Sequence, residues 1–261
     1  MKPNRVKALL REGRTTCGSW VSLCSPIGAE VMGRLGFDWL LIDMEHAAGD
    51  YQTLLGQLQA IGCAGETEPL VRVQSNDPVV IKRVLDTGAR GVMIPGVASV
   101  EEARAAVAAA KYPPEGTRGI AGSVRASAFG MDADYPAQAN DELCVFLQFE
   151  TPGAVELAEA ILDLPGIDVA FIGPNDLAAA MGYRGQPQHE AVQAAIGRVE
   201  AAANARGVAL GTVSRSWAQA EALIDKGYRA QSIMGDIPFM IQAARAALAE
   251  YRKHPHVADA D

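Results

Sequence analysis

LCVFLQFETPGAVELAEAILDLPGIDVAFIG, residues 143–173, carries two short apolar runs, LCVFLQF (143–149) and VAFIG (169–173), around a helically spaced stretch, GAVELAEAILDL (153–164). Both runs are continuously apolar rather than alternating, the pattern of parallel strands covered on both faces. The same rhythm extends outward in both directions. Further strand runs are TCGSWVS (16–22), FDWLLID (37–43), PLVRV (69–73), GVMIP (91–95), VALGTV (208–213) and RAQSIMG (229–235). Between them lie helical patterns such as SVEEARAAVAAAK (99–111) and EAVQAAIGRVEAAANARG (190–207), with Ser99 and Asn76 as expected N-caps and Gly207 as a helix stop. Eight strands with intervening helices predict an α/β chain forming a single (β/α)8 barrel, for which about 250 residues are typical. A doubly wound open sheet is the alternative, but no GxGxxG follows the first strand and no P-loop is present. The barrel domain is expected over 1–253, and 254–261 (HPHVADAD) reads as a polar, frayed tail. Residues 112–142 read as a mostly irregular connection, of a length usually reserved for function or assembly.

Composition narrows the class. The 261 residues are 49% hydrophobic and 21% charged, enough apolar content to exclude disorder. A net charge of -8 would repel a nucleic acid, so none is expected as partner. Cys17, Cys24, Cys63 and Cys144 form no CxxC pair, which fits a reducing compartment and not a structural zinc site. The charged start of the chain shows no apolar signal segment, and no run is long enough to span a membrane. A cytoplasmic globular protein is expected.

In such a barrel the chemistry gathers at the C-terminal ends of the strands. Strand two ends in Asp43-Met44-Glu45-His46, strand three carries Arg72, strand five ends in Gln148-Phe149-Glu150, and strand six runs into Gly173-Pro174-Asn175-Asp176. Glu150 and Asp176 come from adjacent strands and suit a hard divalent ion; they read equally as two exposed loop acids. His46 is the one histidine at a strand end, with Asp43 placed to accept its N–H and fix the tautomer of a general base. Its plainer reading is a solvated loop histidine. A guanidinium in the apolar run PLVRV needs an anion, either substrate or Asp43 and Glu45. The GPND turn offers backbone N–H groups to a carboxylate, or is an ordinary strand-to-helix turn. Arg118 and Arg125, in the long connection, are placed to reach over the barrel mouth or to be solvated.

Taken in order, LIDMEHA (41–47), PLVRV, KYPPEGTRG (111–119), RAS (125–127), QFETPGAV (148–155), FIGPNDLAAAMGY (171–183) and QPQHEAVQAAI (186–196) resemble the HpcH/HpaI family of metal-dependent pyruvate aldolases. That resemblance implies a (β/α)8 barrel with its C-terminal helix exchanged between subunits, in a homo-oligomer built as a hexamer. It implies a carbon–carbon lyase that cleaves 4-hydroxy-2-oxo acids to pyruvate and an aldehyde through a metal-held enolate. The ion would be Mg²⁺, Mn²⁺ or Co²⁺, with Glu150 and Asp176 as its ligands. Gln148 would contact the keto acid, and the Gly173, Pro174 and Asn175 turn would hold its carboxylate. Arg72 would face the keto oxygen, with His46 as base supported by Asp43. Arg125 would meet acidic aldehydes, and Asp86 matches an aspartate near the subunit contact.

Met44 and Asn175 depart from the small residues frequent at those family positions, which leaves hydroxypyruvate open as a donor beside pyruvate. GTVSRS (211–216) differs from the glycine-bearing turns expected of phosphate-binding barrels, which weakens a sugar-phosphate substrate. None of the six lysines falls at a strand end, where a Schiff-base aldolase would need one. An acyl-CoA ester lyase of the citryl-CoA or malyl-CoA type is the second reading, disfavoured by the missing basic cluster. A third is a non-catalytic barrel that binds a keto acid.

Overall fold

The computed structural model describes residues 1–254; residues 255–261 of the expected polar tail lie outside the described residues. Eight parallel strands close into a barrel in chain order: β1 (Thr16–Val21), β2 (Trp39–Asp43), β3 (Glu68–Arg72), β4 (Gly91–Ile94), β5 (Cys144–Phe149), β6 (Val169–Ile172), β7 (Ala209–Ser214) and β8 (Tyr228–Gly235). The expected (β/α)8 architecture is present, each strand falling within two residues of its predicted bounds.

The unbroken hydrophobicity of the strands follows from a barrel with apolar surfaces on both sides. Trp39, Leu41, Leu70, Met93, Phe146 and Phe171 fill the interior. Their chain neighbours Leu40, Ile42, Val71, Val92, Val145 and Leu147 pack outward under the helices. Inside, Trp39 meets Phe146 edge-on at 5.7 Å, and Phe146 lies 6.3 Å from Phe171. Room for so large a ring comes from Gly18 on β1, where an added Cβ would fall inside the Trp39 indole. The helix Arg5–Arg11 lies against the interior cluster through fully buried Val6. Its Lys7 Nζ donates to Leu143 O at 2.7 Å and meets Asp168 Oδ2 at 3.1 Å. The barrel is therefore solid, and its N-terminal face is covered.

Local signals hold with instructive exceptions. Ser99 caps the helix Val100–Ala110 by accepting the N–H of Glu102, and Gly207 ends Glu190–Arg206 in the left-handed region at φ 67°. At the start of Pro78–Asp86 the cap is Asp77, which accepts from Val79 and Val80, while Asn76 donates to Glu102 O. The expected helix over 153–164 is two short ones, Pro152–Glu156 and Ala158–Leu162, broken at Leu157. The connection 112–142 is less irregular than expected, holding a helix at Tyr135–Glu142 and a kinked turn at Arg125–Gly130 in which Ala128 and Phe129 take positive φ. Because it joins a helix to the following strand, it lies on the N-terminal face, opposite the strand ends that carry the mouth. There Arg118 is clamped by Asp86 at 2.8 Å and stacks 4.4 Å from the Tyr112 ring centre.

The last helix, Asp236–Tyr251, buries only Asp236 and leaves Met240, Ile241, Leu248 and Tyr251 exposed. Asp236 accepts N–H groups of Ser22, Leu23 and Ile237, tying the helix start to the turn after β1. Among the described residues no helix is long and apolar enough to cross a membrane.

Gly18→Ala is expected to destabilise the fold by about 1–3 kcal/mol, the usual cost of overpacking a filled core. Denaturant unfolding at equal slope would show it; an unchanged midpoint would mean that the Trp39 ring is free to shift.

Candidate active site

Strand register brings the polar groups together. Asp43 and Arg72 are direct partners across β2 and β3, so their side chains leave the barrel at one level. They form a buried two-pronged pair, Arg72 Nε to Asp43 Oδ1 at 2.9 Å and Nη2 to Oδ2 at 2.8 Å. The fork matches the carboxylate geometry, which repays part of the cost of desolvating both charges. Asp43 Oδ1 also accepts the backbone N–H groups of Glu45 and His46, at 3.0 and 3.3 Å. Asp43 thus folds the turn instead of touching the imidazole, and the expected Asp43 contact that would fix the His46 tautomer is not made. The His46 side chain is 66% exposed, its Nε2 3.9 Å from Glu45 Oε2.

Arg72 reaches a second carboxylate as well. Its Nη1 lies 3.0 Å from Glu45 Oε2, yet out of line for a hydrogen bond, and that oxygen is buried without an aligned donor. Burial pushes the Glu45 carboxyl above its ordinary range, with Arg72 and His46 opposing and Asp43 and Asp176 adding to the shift. The guanidinium lies over the Trp20 ring at 4.4 Å, a cation–π contact on its apolar side.

The second cluster comes from β5 and β6. Glu150 Oε1 accepts the N–H of Gly96 at 2.8 Å, and Oε2 accepts from Gln148 Nε2 at 2.6 Å. Gln148 is buried, and its Oε1 has no donor. Burial raises the Glu150 carboxyl; the Gly96 N–H opposes this, and the negative charges of Glu45 and Asp176 add to it. Asp176 stands in the first turn of the helix Pro174–Ala180, with Pro174 at the opening position. Gly173 decides what lies between the two acids. A Cβ there would sit 3.2 Å from Glu150 Oε2 and 3.6 Å from Asp176 Oδ2. The missing side chain leaves a space flanked by two carboxylate oxygens.

That space suits a divalent cation. Two carboxylate oxygens flank the space, burial already disfavours the charge of Glu150, the buried Gln148 beside Glu150 keeps an unfilled amide oxygen, and hard ions take six or more oxygens. Among the described residues no group of three or more His, Cys, Asp or Glu is arranged to enclose a metal. Two carboxylates would leave coordination positions open to substrate and water, as catalytic sites require.

Two adjoining cavities open over these groups. One, about 700 Å³, is lined by Gln148 and by Gly173, Pro174, Asn175 and Asp176. The other, about 720 Å³, is lined by Asp43, His46 and the turn from Met234 to Pro238. Trp20, Arg72, Asn175, Asp176, Val213 and Arg215 border both. Asp43, His46, Arg72, Gln148, Glu150, Gly173, Pro174, Asn175 and Asp176 are therefore gathered at one mouth. Arg125 is not. Its Nη1 donates to Thr87 O at 2.7 Å, in clefts shared with Met1, Glu68 and Arg90 at the opposite face. A helix-to-strand connection cannot carry it to the mouth of its own barrel. Trp20, the Gly96 amide and Arg215 border the site without having been singled out from the sequence. Their signal was position alone, at or just past a strand end.

Comparison with known proteins places the chain in a family. Residues 16–243 match the family model described as HpcH/HpaI aldolase/citrate lyase. The chain is 41% identical over 254 residues to a hydroxypyruvate/pyruvate aldolase of Paraburkholderia phytofirmans, covering 95% of this chain and 98% of that protein. It is 43% identical over 249 residues to a 4-hydroxy-2-oxo-heptane-1,7-dioate aldolase of Salmonella dublin, covering 95% and 94% of the two. Among solved structures, an HpcH/HpaI aldolase/citrate lyase family protein of Burkholderia cenocepacia superposes with a TM-score of 0.92 at 41% identity, over 95% of this chain and 99% of that one. The chain belongs to the HpcH/HpaI aldolase/citrate lyase family.

Proposed function

We propose that this protein is a divalent-metal-dependent aldolase that reversibly cleaves 4-hydroxy-2-oxo acids to pyruvate or hydroxypyruvate and an aldehyde. The observation that carries the reading is the convergence of Glu150 and Asp176 over the bare backbone of Gly173, beside the buried guanidinium of Arg72. Relatives named for pyruvate, hydroxypyruvate and a 4-hydroxy-2-oxo diacid support it.

Glu150 and Asp176 would hold the ion, and their all-oxygen character favours Mg²⁺ or Mn²⁺, with Co²⁺ also accepted. When bound, the ion supplies Lewis-acid polarisation of the keto acid. Cleavage leaves negative charge on the keto oxygen, and Arg72, held by Asp43 and backed by Trp20, faces it with a fixed positive charge. Gln148 offers its side chain to the same keto acid. The Gly173–Asn175 turn receives the carboxylate through the amide of Asn175, since Pro174 has none. His46 takes the proton of the C4 hydroxyl during cleavage and returns it in synthesis. Its exposed position keeps the imidazole close to bulk solvent for that exchange. Lysine chemistry has no strand-end residue to use: among the described residues the lysine that lines the mouth, Lys226, follows a helix end and lies 3.8 Å from Glu200.

The exposed apolar side of Asp236–Tyr251 fits a helix covered by another copy of the chain, in the hexamer that the family resemblance implies. Four free cysteines fit a cytoplasmic location.

Pyruvate incubated in D₂O is expected to lose its methyl proton signal with Mn²⁺ and to keep it with EDTA. Absence of exchange from both pyruvate and hydroxypyruvate would overturn the reading. Divalent ion at 100-fold excess over its Kd should stabilise the protein by about 2.7 kcal/mol in thermal unfolding. Glu150→Gln and Asp176→Asn should each abolish that gain; an undiminished gain in either would remove the residue from the ligand set. His46→Ala is expected to slow cleavage by roughly 10²–10⁴-fold. A rate equal to that of the parent would move the proton transfer elsewhere.

A further inference from the structure

Among the cations that border the mouth, one has no partner. Arg72 is held by Asp43 and Glu45, and Lys226 stands 3.8 Å from Glu200. Arg215, on the turn after β7, is exposed, and its backbone N–H donates to Gln219 Oε1 at 2.9 Å. Its guanidinium has no acceptor among the described residues, although it borders both mouth cavities and the apolar cleft behind them. We propose that Arg215 is the residue that selects aldehydes bearing a second carboxylate, by pairing with that distal group; this rests on the aldolase reading above.

Three observations lead there. The first is the division of the mouth. Gln148 and Gly173 line only one cavity, His46 lines only the other, and Arg72, Asn175 and Asp176 border both, so a keto acid held at the shared wall directs the carbon that carries the C4 hydroxyl toward the His46 side. The second is the character of that side. Val213, Met234, Ile237 and Pro238 give it an apolar wall that suits a carbon spacer, and Arg215 is the one cation there not already held by protein carboxylates. The third is charge. Asp43, Glu45, Glu150 and Asp176 face a single fixed guanidinium, Arg72, so even with a divalent ion and a keto-acid carboxylate in place the mouth stays net negative. An acidic acceptor is repelled unless another cation meets it. Arg125, which the family resemblance assigns to this task, stands at the far face of its own barrel.

The test uses the metal-loaded enzyme and two non-cleavable analogues that lack the C4 hydroxyl, 2-oxoheptanedioate and 2-oxoheptanoate, titrated by calorimetry. It is paired with the kinetics of pyruvate addition to 4-oxobutanoate and to butanal. The parent protein should prefer the diacid. Arg215→Ala should lose that preference, with kcat/KM for 4-oxobutanoate falling roughly 10- to 100-fold, the scale of a charge-assisted hydrogen bond. Butanal addition and pyruvate methyl exchange should stay unchanged, and Arg215→Lys should recover part of the loss. Equal losses with both aldehydes, no loss, or the same selective loss in Arg125→Ala with Arg215→Ala unaffected would each overturn the proposal. Failure of the parent protein to bind either analogue or to exchange pyruvate protons would instead overturn the underlying aldolase reading.

Discussion

Closure of eight parallel strands constrains everything else in this molecule. Once every strand runs the same way, each strand-to-helix turn must emerge on one face and each helix-to-strand connection on the other. Polar residues scattered over more than a hundred positions of sequence, from Asp43 to Asp176, are thereby delivered to a single rim without any local attraction between them. The same rule sends Arg118, Arg125 and Asp86 to the opposite face, where Arg118 and Asp86 build a separate polar layer with Tyr112 and Tyr135 and Arg125 donates to Thr87 O. Interior packing makes the rule enforceable. Trp39, Phe146 and Phe171 fill the interior and leave no place for charged side chains there, so these stand at its ends.

At the rim, electrostatics are arranged around imbalance. The Asp43–Arg72 pair is satisfied on both sides and fixes the strand ends relative to each other. Glu45, Glu150 and Asp176 are not balanced in this way. Burial and mutual repulsion push Glu45 and Glu150 above their ordinary range, and Gln148 and Glu45 each keep a buried oxygen without a donor. Unfilled acceptors of this kind cost free energy in a resting protein. On the proposed reading, a divalent ion between Glu150 and Asp176 would offset part of that cost, which would then contribute to its affinity.

Much of this was legible beforehand, and the misses have physical causes. Strand positions could be read because burial on both faces writes an unbroken apolar run into the chain. FDWLLID and PLVRV needed no other information. Glu150 and Asp176 could be read as a pair because adjacent strands in a barrel have adjacent ends. Length and composition alone do not place Arg125: the connection that holds it follows a helix, and so belongs to the lower face of its own barrel. Asp43 was expected on the His46 imidazole, three residues away. The turn instead brings the backbone N–H groups of Glu45 and His46 to the carboxylate first. The break at Leu157 left no mark in GAVELAEAILDL, whose periodicity suits one continuous helix. Arg215 drew no attention because its significance lies in what surrounds it, a mouth where other cations are already engaged.

The solid interior and the helix laid across its underside have a consequence for traffic. A vessel with a sealed floor has one door, and a substrate and both of its cleavage products must use it. On the aldolase reading, a keto acid seated among the strand ends would lie deeper than an aldehyde lodged toward the loops. The aldehyde would then leave first after cleavage and enter last before synthesis.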